Sequence, residues 1–456
     1  MIVSGAFRGK RYAVLGLARS GMATVAALHA SGARVTAWDR RPGPREQAAH
    51  LAEIADPLEI ELAGFDGIVL SPGVPLNTHP IAERARAAGV PLIGDIELFA
   101  QARAGLPPHK VVGITGTNGK STTTALIHHI LKTAGVPTTM GGNIGLPILG
   151  QDPLPPNDLG VGVYVLELSS YQIDLTHSLD CDVAVLTNIT PDHLDRYKSF
   201  DAYAASKMRL YEMQSPANIR VTTEDGFSDV LFEGALRNQW ASSGAAVIDG
   251  VVYVDTFDVG RQADWPSLQG PHNLQNAAVG IAVAHALAID DHAIEKGLRT
   301  YPGLPHRMER IGEHNGVLFV NDSKATNPTA TAPALAAYPR VHWIVGGLPK
   351  GDDLAECAPY FDHVVAAYTI GEAGPMFADQ LEAVMPVERC EMLCEATRRA
   401  IAAAKPGEVV LLSPACASFD QFRDYEMRGE AFRKLVAGLT GQAALEPCEF
   451  TAKSAA

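Results

Sequence analysis

The segment Gly113-Ile-Thr-Gly-Thr-Asn-Gly-Lys-Ser-Thr122 constrains the fold more than any other stretch of this chain. It lies between an apolar run, residues 111–115, and a stretch where Leu126, Ile127, Ile130, Leu131 and Ala134 recur at helical spacing. A strand, a glycine loop and a helix in that order commit the region to an α/β unit. Glycines let backbone N–H groups curl around a phosphate, and the helix N-terminus adds partial positive charge. Lys120 can reach terminal phosphates and Ser121 can ligate Mg²⁺. The strict phosphate-loop pattern asks for glycine where Ile114 stands, so the loop is a variant. A glycine turn before a helix is common by itself; Lys-Ser following it in this setting favours nucleotide binding.

Strand-like runs alternate with helix-period stretches along the rest of the chain, the pattern of parallel α/β sheets. The first block reads as strand 11–17, helix 20–30 and strand 34–39, with further strands at 67–70 and 90–93. Residues 101–109, with Gly105, Pro107 and Pro108, read as a linker. The second block has strands at 111–115, 161–166 and 183–188 and a small β insertion within 221–269. Residues 301–305 read as a second linker, and the third block has strands at 317–321, 341–346, 363–370 and 408–413.

At 456 residues the chain is too long for one ordinary core. Its net charge of −14 argues against a general nucleic-acid binder. The six cysteines are scattered, which disfavours a disulfide framework or zinc site and fits a reducing compartment. The N-terminus lacks signal-peptide features, and the apolar run 277–289 is too short to span a bilayer, which takes about 20 residues. A cytoplasmic protein without membrane insertion is expected.

The variant Gly-Thr-Asn-Gly-Lys-Ser-Thr resembles the loop of the Mur ligases and their relatives, the folylpolyglutamate synthetases. Downstream motifs follow in family order: Glu167 at the end of VYVLELSSYQ, His193 in NITPDHLD, Lys207 in DAYAASKMR, GPHNLQN at 270–276, Pro305-His-Arg307 and Asn321-Asp-Ser-Lys-Ala-Thr-Asn327. Taken singly, each has a plainer reading, as strand-end carboxylate, loop imidazole, solvated lysine, helix cap or surface turn. The resemblance implies an α/β chain of three domains. These are an N-terminal Rossmann-like UDP-binding domain (1–100), a central P-loop ATPase-like domain with a mostly parallel sheet (101–304), and a C-terminal Rossmann-like domain for the incoming amino acid (305–456).

It also implies ATP and two Mg²⁺ ions, with Ser121, Glu167, His193 and a carbamylated Lys207 as metal ligands. Lys120, His193 and Lys207 are the catalytic candidates, His193 being a weak one for the base that deprotonates the amine. ATP falls to Gly116, Thr117, Asn118, Gly119, Lys120, Ser121, Thr122, Asn273, Asn276, Arg307 and Asp322, with His272 nearby. The N-terminal Gly16-Leu-Ala-Arg-Ser-Gly21 is a weak dinucleotide fingerprint, since Ala18 replaces its middle glycine. The resemblance assigns this block to a UDP-linked substrate, through Ser20, Asp39, Arg40, Arg41, Ser71, Pro72, Gly73 and Asn143.

The stretch Leu412-Ser-Pro-Ala-Cys-Ala-Ser-Phe-Asp-Gln-Phe422 looks like the block of the member that adds D-glutamate to UDP-N-acetylmuramoyl-L-alanine. On that match Lys324, Thr326, Lys350, Ser418, Phe419 and Tyr425 bind D-glutamate; Tyr425 departs from the commoner Phe. Cys416 is not read as a nucleophile, because no histidine in the segment would activate it. The protein is expected to act as a monomer. Three other readings stay open: a different Mur ligase or an L-glutamate-adding variant, an NAD-dependent oxidoreductase, and a nucleotide-binding regulatory module without catalysis.

Overall fold

Apolar runs too short for helices form parallel strands that are covered on both faces. In the first sheet these are β1 (Arg11–Leu15), β2 (Arg34–Trp38), β3 (Glu53–Ile54), β4 (Gly67–Leu70) and β5 (Leu92–Ile93). They pair in the order β3-β2-β1-β4-β5, all parallel. The second sheet is also all parallel. It contains β6 (His109–Thr115), β7 (Thr138–Gly142), β8 (Gly162–Glu167), β9 (Val183–Leu186) and β10 (Ile219–Thr222), in the order β10-β9-β6-β8-β7. Three antiparallel strands follow: β11 (Ala245–Ile248), β12 (Val251–Val254) and β13 (Phe257–Arg261).

The last sheet has β14 (Glu309–His314), β15 (Val317–Asn321), β16 (Val341–Gly346), β17 (Val364–Ile370), β18 (Val387–Glu391) and β19 (Val409–Leu412). Its order is β14-β15-β19-β16-β17-β18, and of this sheet's described strands β14 alone pairs antiparallel. The α/β class expected from sequence holds, and the expected strands lie within two residues of their observed ends. Strands β3, β7, β10, β14 and β18 were not expected. The stretch 101–109 is only partly a linker: the helix Asp95–Ala102 and the turn Arg103–Gly105 occupy its first half.

This computed structural model describes residues 1–155, 161–190, 196–222, 245–248, 251–254 and 257–441. It divides into two compact units: Met1–Arg261 with Gln275–Leu298, and Gln262–Leu274 with Arg299–Ala456. Within the first unit the first two sheets share a core that includes Phe99, Tyr164, Ile148 and Val14. Glu97, buried in the helix Asp95–Ala102, fastens them together. Its carboxylate accepts from the His177 and Ser178 amides at 2.7 and 2.9 Å and from Ser178 Oγ at 2.7 Å. A buried carboxylate needs such donors to offset its lost hydration.

The register of the second sheet gathers the chemistry. Ile114 pairs with Glu167, Thr115 with Leu186, and Gly142 with Glu167. The segments leaving the carboxyl ends of β6, β7, β8 and β9 therefore lie side by side, where α/β sheets place ligands. No helix among the described residues is long and apolar enough to cross a membrane. The five described cysteines are free, and Cys448 lies outside the described residues.

Candidate active site

The glycine loop needs its glycines. Gly116 has φ +145°, and a Cβ there would come within 2.0 Å of Thr187 Oγ1; Gly119 has φ +83°, and its Cβ would meet Asn276 Oδ1 at 2.4 Å. L-residues rarely adopt such backbone conformations. The loop is pinned from β9: Asn118 N–H donates to Asn188 Oδ1 at 2.8 Å, Asn188 Nδ2 to Asn118 O at 3.1 Å, and Thr187 Oγ1 to Asn118 O at 2.6 Å. Thr117 Oγ1 accepts from the Thr190 amide at 3.0 Å. Lys120 Nζ bends back over the loop, donating to Gly116 O at 2.9 Å and Thr117 O at 2.8 Å. Ser121 and Thr122 are buried at the start of the helix Lys120–Thr133. Thr123 Oγ1 donates to Asn276 Oδ1 at 3.2 Å, so the structure brings Asn276 to the loop. Asn188 was missed as a loop-shaping residue; its place just past a strand beside the loop was the available signal.

Glu167 ends β8 with 2% of its surface exposed. Its Oε1 accepts from Asn143 Nδ2 at 2.9 Å, while its Oε2 is buried with no hydrogen-bond partner among the described residues. A buried carboxylate oxygen left over in this way suits a cation, because its desolvation is otherwise uncompensated. Lys207 is buried in the helix Phe200–Glu212; its Nζ donates to Gly116 O at 2.7 Å and stands 4.7 Å from the centre of the Tyr203 ring. Lys120 and Lys207 thus meet at one carbonyl. His193 lies outside the described residues.

In the first sheet, Gly21 must be glycine because a Cβ would sit 1.9 Å from Gly16 O. Ser71 Oγ donates to the same carbonyl at 2.8 Å. Asp39 follows β2 with its carboxylate already engaged, accepting from the Leu17 amide at 2.8 Å, the Arg41 amide at 2.9 Å and Arg41 Nε at 3.1 Å. These bonds, the Arg41 side chain's foremost, hold its pKa down at about 2. Any further donor to Asp39 competes with Arg41. A cleft of about 230 Å³ is lined by Arg19, Ser20, Pro72, Asp95, Asn143 and Gln172, among others, which brings Ser20, Pro72 and Asn143 together. Arg40 is exposed. Asp95 and Gln172 were missed; Gln172 belongs to a capping box with Ser169, a spacing legible in Ser169-Ser-Tyr-Gln172.

The second unit is described by itself. Asp322 is buried after β15, accepting from the Met308 amide at 3.1 Å and Ser413 Oγ at 2.8 Å; burial pushes its pKa up to about 7. Arg307 sits between His306 and Met308, whose φ values of +61° and +47° lie in the strained left-handed region. His272 is held below its ordinary pKa by burial and then by the Arg307 charge. Asn273 Nδ2 donates to Gln269 O at 3.0 Å.

Four of the six amino-acid candidates pair with one another. Lys350 Nζ donates to Thr326 Oγ1 at 3.2 Å, and Lys324 Nζ lies 5.7 Å from the Tyr425 ring centre. The Leu348 and Ala417 backbones exchange two bonds, at 2.9 and 3.0 Å, which sets the Lys350 loop beside Ser418. Ser418 is buried, whereas Phe419 is 69% exposed. Arg428, missed from sequence, is buried against these loops and donates to Cys416 O and Ala417 O.

Against known proteins, residues 114–284 match the Mur ligase middle domain, 306–416 the Mur ligase glutamate ligase domain, and 10–94 the Mur ligase MurD-like N-terminal domain. A UDP-N-acetylmuramoylalanine–D-glutamate ligase of Novosphingobium aromaticivorans is 64% identical over 439 residues, spanning 96% of this chain and 97% of its own. The ligase of the same name from Sphingopyxis alaskensis is 58% identical over 445 residues, 96% of this chain and 100% of its own. In fold, the chain resembles UDP-N-acetylmuramate-alanine ligase from Thermotoga maritima, with TM-score 0.57, 17% identity, and 94% and 99% of the two chains covered. It also resembles the MurF ligase of Thermotoga maritima solved with ADP, with TM-score 0.54, 18% identity and 96% of each chain covered.

Proposed function

Since this chain belongs to the Mur ligase family, we propose that it joins D-glutamate to UDP-N-acetylmuramoyl-L-alanine, cleaving ATP to ADP and phosphate. The observation that carries this reading is the 64% identity, over nearly the whole of both chains, to a relative named for that reaction. A cytoplasmic monomer making a peptidoglycan precursor is the corresponding biology.

The L-alanyl carboxylate attacks the γ-phosphorus of ATP, giving an acyl phosphate and ADP. The neutral amine of D-glutamate then adds to the acyl carbon, and the tetrahedral intermediate expels phosphate. Loop amides from Gly116 to Thr122 hold the phosphate chain, and Lys120 follows the charge of the transferring phosphoryl group. Asn273 and Asn276 are assigned to adenine, Arg307 to a phosphate and Asp322 to the ribose hydroxyls. Two Mg²⁺ ions, when bound, supply charge neutralisation between carboxylate and phosphate. Ser121, Glu167, His193 and carbamylated Lys207 would hold them, a reading supported by the unpartnered Glu167 Oε2. Lys324, Thr326, Lys350, Ser418, Phe419 and Tyr425 are assigned to D-glutamate; Ser20, Asp39, Arg40, Arg41, Ser71, Pro72, Gly73 and Asn143 to the UDP-linked substrate.

Assays with D-Glu, L-Glu, L-Ala and meso-diaminopimelate as acceptors of UDP-N-acetylmuramoyl-L-alanine should give turnover with D-Glu far above the rest. Faster turnover with any other acceptor would displace D-glutamate from the assignment. Active enzyme equilibrated with ¹³C-bicarbonate should show a carbamate carbon in its NMR spectrum that is absent from Lys207→Ala. Full activity without that signal would remove the carbamate.

A further inference from the structure

The cleft that contains Ser20 and Asn143 is lined by one carboxyl among its described residues, Asp95. This side chain has 4% of its surface exposed and accepts from the Ile96 amide of its own helix at 3.1 Å. Burial holds its pKa up at about 6. Neighbouring Glu97, by contrast, spends its carboxylate on three donors from the 177–178 turn and one from Gln101. Glu97 is therefore structural, while Asp95 keeps acceptor capacity on the cleft wall. A carboxyl so placed can accept a further donor from a ligand that enters the cleft.

The order of groups around the cleft says what that donor is. Ser20 belongs to the first turn of the helix Arg19–Ala30, whose N-terminus suits a phosphate. Asn143 lines the cleft and also holds Glu167 at the catalytic end. A ligand with its diphosphate at Ser20 and its acyl group toward Glu167 lays its middle portion, a sugar, along this wall. Sugars offer hydroxyl and acetamido donors, and Asp95 offers the acceptor. We infer that Asp95 recognises a hydroxyl or amide donor on the sugar of the UDP-linked substrate, and so separates that substrate from UDP alone. This rests on the ligase reading above.

Isothermal titration of UDP and of UDP-N-acetylmuramoyl-L-alanine into the full-length protein and Asp95→Ala tests it. Loss of a bond to a carboxyl should weaken the sugar ligand by about tenfold or more. UDP binding should stay within about twofold, which also reports an intact fold. Should the alanine form fail to fold, Asp95→Asn keeps the shape while replacing one acceptor, and the same split is expected at roughly threefold to tenfold. Equal losses for both ligands, or none for either, would overturn the role of Asp95. A wild-type protein that binds UDP-N-acetylmuramoyl-L-alanine no better than UDP would instead sink the substrate assignment itself.

Discussion

Lys120→Ala should lower turnover by about 10² to 10³ while the protein stays folded. An acyl phosphate forms only if an anionic carboxylate approaches an anionic phosphate. Two unit charges 4 Å apart repel by about 1 kcal/mol in water but about 4 kcal/mol at an effective dielectric of 20. Lys120 is the loop's own cation, and its present bonds to Gly116 O and Thr117 O are ones a water can replace at a half-exposed site. The loop itself is held by Asn188 and Thr187, which the substitution leaves alone. Stability should therefore change by no more than about 1 kcal/mol. Steady-state ADP release and a melting curve, taken together, check both halves. Turnover within about tenfold of wild type would remove Lys120 from the transition state.

Much of this was legible because the signals were local. The phosphate loop could be read from Gly116, Gly119 and Lys120, since positive φ at glycine and a lysine at the helix start are properties of a short segment. The unexpected strands show where local reading ends. Strand β7, Thr-Thr-Met-Gly-Gly, has neither alternation nor a sustained apolar run, and it exists because β8 offers an edge to pair with. Strand β14 carried a signal that went unused: Asn315-Gly316 between Glu309–His314 and Val317–Asn321 is a hairpin dipeptide, and both residues have positive φ, +52° and +75°. Asp95 and Arg428 were invisible for another reason. Their meaning lies in what surrounds them in space, and a buried charge looks in sequence like any surface one.

Arg428→Met should raise the KM for D-glutamate by about tenfold or more and lower the melting temperature by several degrees. Arg428 has 1% of its surface exposed, and no carboxylate is among its recorded hydrogen-bond partners. Its guanidinium donates instead to Ser323 Oγ at 3.0 Å, Ser323 O at 2.9 Å, Cys416 O at 2.9 Å and Ala417 O at 3.1 Å. One side chain thus ties the turn after β15, which carries Asp322 and Lys324, to the turn after β19, which carries Ser418. Gly347, which leads to Lys350, approaches so closely that a Cβ there would lie 3.0 Å from the guanidinium and 2.4 Å from Ala417 O. Arginine's rigid fork suits this clamp in a way lysine's point charge does not. Burial draws its pKa down to about 10, so it stays charged at neutral pH and the fold bears a desolvation cost. Methionine relieves that cost and fills most of the space, but it takes this donor from Ser323 O, Ser323 Oγ and Cys416 O, at roughly 1–3 kcal/mol for each that water cannot reach, while Ala417 O keeps the Leu348 amide. The second effect outweighs the first if even two of those three stay dry. Because the clamped turns carry Lys324 and Ser418 for D-glutamate but only Asp322 for ATP, whose phosphate loop they do not include, the KM for D-glutamate should move more than the KM for ATP. Arg428→Lys should recover stability better than it recovers D-glutamate binding. Equal shifts in both KM values, with full rescue by lysine, would reduce Arg428 to a general support of the core.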